Sequence, residues 1–134
     1  MKINLLKNCV SKYAALAIII AVTPVMAFAH AYLKKSEPVQ GATLTTAPAE
    51  VTLEFSEELE TQMSKIQVKN SLNSEIVSTG KPSDGGKGLA TLQIKLIPLK
   101  TDQLTHYIVS WKAVSKDSHR MPGSFEFSVA PVKK

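Results

Sequence analysis

The chain has 134 residues, is 44% hydrophobic and 6% aromatic, and carries a formal charge of +5 with a single Cys. That length suits one domain with a core of its own. One Cys excludes an internal disulfide framework and a multi-thiolate metal site. Part of the positive charge sits at the front of the chain (Lys2, Lys7, Lys12), and few aromatics could stack on bases, so the charge carries no nucleic-acid signal.

Lys2, Lys7 and Lys12 form a basic start without an acid, followed by the apolar run Ala14 to Val22. Ala27-Phe28-Ala29 then supplies a small-x-small cleavage pattern, so residues 1–29 are expected to be a signal peptide cut after Ala29. The apolar run is short for a span, which needs about 20 residues, and Pro24 interrupts its end. Cys9 precedes the run, badly placed for a lipid anchor, and leaves with the leader. Residues 30–134 then form a domain with little net charge and no Cys, expected to be a soluble monomer outside the cytoplasm.

Tyr32 to Ser36 reads as a short first strand, and Glu37 to Ala42 as a turn marked by Pro38 and Gly41. Val51-Thr52-Leu53-Glu54-Phe55 alternates apolar and polar, the mark of a strand with one buried face. Ser56 to Glu60 suits a loop or one helical turn. Ile66 and Val68 continue the alternation in a third strand, and Glu75 to Ser78 make a weaker fourth. Lys81 to Gly88, with three Gly and one Pro, reads as a loop. Leu89 to Leu96 alternates again. Tyr107, Val109 and Trp111 form one apolar row and Phe125, Phe127 and Val129 another, with Trp111 and the Phe residues expected in the core. About seven short strands without a long helical period predict an all-β, immunoglobulin-like Greek-key sandwich.

Two places carry candidate chemistry. Asp117 and His119 are two residues apart, which in an extended chain puts both side chains on one face about 6.5–7 Å apart. His30 follows the cleavage pattern directly, so processing after Ala29 would give one residue both a free α-amine and an imidazole. Taken alone, His30 suits a frayed chain end and Asp117 a polar turn. His106 has no partner at useful spacing and reads as a surface residue. Met121 reads as gap-filling core.

The run Tyr107 to His119, followed by Gly123-Ser124-Phe125 and Phe127, closely resembles the CopC/PcoC family of periplasmic copper-resistance proteins. His30 after the leader, Ser36-Glu37-Pro38 with Gly41, and Phe55-Ser56-Glu57 extend the likeness over residues 30–134. The most specific parts are the His at the expected chain start and the Ser-x-Asp-x-His-x-x-x-Gly string from Ser115 to Gly123. The resemblance implies a small β-sandwich that binds one Cu(II) per chain in the periplasm. It implies three metal-binding residues: His30 through amine and imidazole, Asp117 and His119. Glu57 matches a family Glu near that site and is expected to act, if at all, from outside the ligand set. Some family members carry a Met-rich loop for Cu(I). The corresponding stretch here, around Asn70 to Gly80, has no Met, so Cu(II) alone is expected. Thr105 stands where the family often has Gly.

The implied function is copper homeostasis or resistance, by sequestering copper or carrying it to an inner-membrane transporter of the CopD type, without catalysis. The competing readings are an oxygen-activating copper enzyme of the histidine-brace kind and a secreted adhesion domain that binds no metal.

Overall fold

The computed structural model describes residues 32–131; the expected leader, residues 1–29, and His30 lie outside the described residues. Eight strands occur, and no helix, among the described residues: β1 (Leu33–Glu37), β2 (Thr43–Leu44), β3 (Glu50–Phe55), β4 (Lys65–Asn70), β5 (Ser78–Ser83), β6 (Thr91–Leu96), β7 (Thr105–Val114) and β8 (Arg120–Val129). They form two four-stranded sheets, in the orders β1-β3-β6-β5 and β2-β8-β7-β4. All pairings are antiparallel except β2 with β8. The chain crosses between sheets after β1, β2, β3, β4 and β6, giving the expected immunoglobulin-like sandwich.

The alternating rows meet between the sheets. Val51, Leu53 and Phe55 of β3 and Leu92, Ile94 and Leu96 of β6 face Val68, Tyr107, Val109, Phe125, Phe127 and Val129 of the other sheet. Tyr107 and Phe127 stack with ring centroids 5.4 Å apart. Each fully buried aliphatic or aromatic side chain contributes about 1.5–3 kcal/mol, so this two-sided apolar layer dominates the stability.

Several local expectations change. The fourth strand lies later than Glu75 to Ser78: Ile76 makes only an isolated bridge to Lys69, and the strand proper is β5. Lys81 and Pro82, expected in a loop, therefore belong to β5, an edge strand where a missing N–H costs no ladder bond. The loop starts at Asp84 and turns on Gly85, Gly86 and Gly88, all with positive φ. Trp111 is half-buried rather than fully in the core. Its indole lies over Gly123, its cross-strand partner, where a Cβ would stand 2.3 Å from Cζ2. The alternation of β6 is also incomplete, since Thr91 and Gln93 are buried as well. Gly85 of the loop after β5 lies against the Gln93 side chain, and the Gln93 amide donates to Glu50 Oε1 and Thr52 Oγ1, both at 2.9 Å.

Candidate metal centre

The β7–β8 ladder pairs Val114 with Arg120, which leaves Ser115 to His119 as its closing turn. Ser115 is the anchor of this turn. It is 1% exposed and bridges Leu59 on the segment after β3. Its N–H donates to the His119 carbonyl at 2.9 Å, and its carbonyl accepts from the Ser118 N–H at 2.9 Å. The Ser115 hydroxyl accepts from the His119 N–H at 3.1 Å and donates to Asp117 Oδ1. Ser118 takes a positive φ of 72°, which lets the chain reverse within these few residues.

Asp117 and His119 thus meet through a turn and not across an extended strand. His119 Nδ1 lies 2.7 Å from Asp117 Oδ2. Both side chains are open to solvent, 73% exposed for His119 and 58% for Asp117. When Nδ1 donates to the carboxylate, Nε2 keeps its lone pair on a solvent-open side chain, the usual arrangement of a metal-binding imidazole oriented by an acid. The Ser115 hydroxyl, and then the His119 contact, hold the Asp117 carboxyl below the usual carboxylate range. The acid therefore stays ionised beside the imidazole.

A second segment borders this turn. The Lys116 N–H donates to the Glu58 carbonyl at 3.0 Å, the Glu60 N–H to the Val114 carbonyl at 2.7 Å, and Lys116 Nζ pairs with Glu60 Oε1 at 2.8 Å. The start of the described chain is tied to the same segment. Tyr32 donates its N–H to Ser56 Oγ at 2.9 Å and accepts from the Ser56 N–H at 2.9 Å. Residue 32 and the Asp117–His119 turn are therefore held to the two ends of one short stretch, Ser56 to Glu60.

The structure brings together two of the three expected ligands, while His30 lies outside the described residues. Among the described residues, no group of three or more His, Cys, Asp or Glu side chains is arranged to hold a metal. No hydrogen bond or ion pair joins Glu57 to Asp117 or His119. His106 shares a hydrogen bond with Ser128 Oγ at 2.7 Å, a cross-strand surface pair. Met121 packs against the core opposite Ala113, and Met63 is exposed. The contribution of Ser115 had a signal in the sequence, a Ser two residues before the acid. Its burial, which turns that hydroxyl into an anchor, is a tertiary property.

A family model described as the CopC domain matches residues 33–130. "Copper resistance protein C" of Xanthomonas campestris pv. juglandis is 36% identical over 110 residues, covering 77% of this chain and 82% of that protein. "Protein YobA" of Escherichia coli K12 is 34% identical, covering 81% and 84%. "Copper transport protein CutJ" of Bacillus subtilis is 37% identical over 106 residues; the match takes in 79% of this chain but only 19% of that much longer relative. Among solved structures, the methionine-rich copper resistance protein PcoC of Escherichia coli superposes with a TM-score of 0.65 at 30% identity, covering 75% of this chain and 99% of PcoC. CopC of Methylosinus trichosporium OB3b shares the fold, with a TM-score of 0.68 at 23% identity over 78% of this chain and 98% of that one. A sandwich of this topology, a buried Ser holding an acid–imidazole turn, and a domain match over nearly all the described residues together make this chain a member of the CopC-domain family.

Proposed function

We propose that the chain is a periplasmic Cu(II)-binding protein of copper homeostasis and resistance. On this reading residues 1–29 direct export and are removed, and residues 30–134 act as a monomer that holds one Cu(II). The ion is cargo, and the protein sequesters it or carries it to an inner-membrane transporter of the CopD type. The ligand set is the His30 amine and imidazole with Asp117 and His119.

The observation that carries this reading is the solvent-open acid–imidazole pair, with His119 Nδ1 2.7 Å from an Asp117 carboxyl held ionised. The anchoring of Tyr32 on Ser56 supports the participation of His30. Two residues span at most about 7 Å, and Ser56 belongs to the stretch that also holds the Asp117–His119 turn. An amine, two imidazoles and a carboxylate form the nitrogen-rich N,O set that suits Cu(II) in tetragonal geometry, and Cu(II) heads the divalent affinity series. Before cleavage the His30 nitrogen would be an amide and a poor ligand, so export and metal competence would arrive together. A carboxylate at the site favours holding the ion over activating oxygen on it, which argues for a carrier.

Titration of the protein purified from its own cells with Cu(II) tests this. Tight binding should saturate at one ion per chain, with the first residue found to be His30. Absence of tight binding would remove the carrier reading and leave a metal-free interaction domain. Peroxide production by the reduced copper form would favour the enzyme instead.

A further inference from the structure

A groove of about 370 Å³ runs along the seam between the edge strands β4 and β5, lined by none of residues 115–119. Lys65, Ile66 and Pro82 line it together with Trp111 and Lys112. Lys65 and Lys112 are directly opposite each other in the β4–β7 ladder. Like charges in that position repel, and neither lysine has an ion-pair partner among the described residues. Gln67 and Ser110, the next pair on the same face, are neutral and add no opposing charge.

The β4 edge is only partly covered. Asn70 donates its N–H to the Glu75 carbonyl at 2.9 Å, the Val68 carbonyl accepts from Val77 at 2.9 Å, and the Val68 N–H reaches Ser78 Oγ at 3.1 Å. With the two-residue period of a strand, Ile66 presents its N–H and C=O to the same edge. Outside the β4–β7 ladder they meet no hydrogen-bond partner among the described residues, and Ile66 as a whole is 8% exposed. On the other bank, Pro82 lacks an N–H, so β5 cannot close the seam by pairing at that point.

We propose that this seam is a docking site for an extended acidic segment of a partner protein. The segment pairs its main chain with Ile66 and places carboxylates on Lys65 and Lys112, while its apolar atoms rest against Pro82 and Trp111. Charge complementarity selects the occupant: two opposed ammonium groups call for anions, and a second copy laid edge to edge through this seam would set the same lysines against them. The unpaired main-chain donor and acceptor favour a polypeptide over a lipid surface, because only an extended chain satisfies them in register with the two charges.

The probe is a short blocked peptide alternating glutamate and threonine, added to the protein purified from its own cells. Binding should shift the Ile66 amide resonance and the Trp111 fluorescence, and should weaken as ionic strength rises. The Lys65→Ala/Lys112→Ala variant, altered only at exposed side chains, should keep its circular dichroism and bind about tenfold more weakly, as expected for two lost charge-assisted hydrogen bonds. Equal binding of a lysine–threonine peptide, or an unmoved Ile66 amide, would overturn the proposal. So would binding to phosphatidylglycerol vesicles through these lysines with no response to the peptide. A double variant that merely self-associates, with the peptide still silent, would show that the lysines only guard an edge strand.

Discussion

The Nδ1 of His119 lies 2.7 Å from Oδ2 of Asp117, so the acid orients the imidazole on a turn open to solvent. Asp117→Asn keeps an acceptor but removes the charge. Losing an acid that orients a ligating imidazole costs about 10–100-fold in metal affinity, and Asp117 also belongs to the proposed ligand set, so the loss should be at least that large. Cu(II) titration of the variant should show that loss with one-ion stoichiometry kept. His119→Ala removes a ligand nitrogen and should weaken binding further still.

Asp117 titrates below the usual carboxylate range because the Ser115 hydroxyl, and then His119, favour its ionised form. A carboxyl depressed on folding contributes stability above its unfolded value, about 3.9, and loses that contribution as pH falls through the lower folded value. Carboxyl-carbon NMR should therefore place the Asp117 midpoint below about 3.9. Copper release on mild acidification should follow protonation of nitrogen ligands instead, since amines and imidazoles ordinarily titrate near neutrality and must lose protons to bind. If release tracked the Asp117 carbon signal, the assignment of roles would be reversed.

Ser115→Ala deletes a buried hydroxyl that serves the His119 N–H and the Asp117 carboxylate at once. Losing these two hydrogen bonds, one of them to a carboxylate, costs about 1–3 kcal/mol. Denaturant unfolding should show that loss, and the Asp117 midpoint should rise towards the ordinary carboxylate value. A variant with unchanged stability and an unchanged Asp117 titration would show that the turn is held by something else.

Gly123→Ala places a methyl 2.3 Å from the Trp111 ring. The indole must swing off β8 and lose its edge contacts with Phe55 and Phe125, whose centroids lie 6.3 and 6.0 Å away. Overpacking of this kind costs about 1–3 kcal/mol. Thermal unfolding should report the loss, and Trp111 fluorescence should move to the red as the ring enters water.

The alternating rows of β3, β6, β7 and β8 could be read from the chain because one face of each packs on the opposite sheet. Thr43–Leu44 could not, since two residues show no period and pair with β8 only through the fold. β5 was hidden because Gly80, Lys81 and Pro82 carry turn chemistry, which an edge strand tolerates. At the candidate centre, the identity and spacing of Asp117 and His119 were legible. Their contact was not, since it depends on the positive φ of Ser118 and on burial of Ser115 against Leu59, both properties of the closed hairpin.

Electron paramagnetic resonance of the protein purified from its own cells and loaded with one Cu(II) bears most directly on the metal centre. A tetragonal spectrum with several nitrogen couplings is expected, disturbed when one extra residue is placed before His30. A spectrum indifferent to that extension, or one lacking nitrogen couplings, would contradict it.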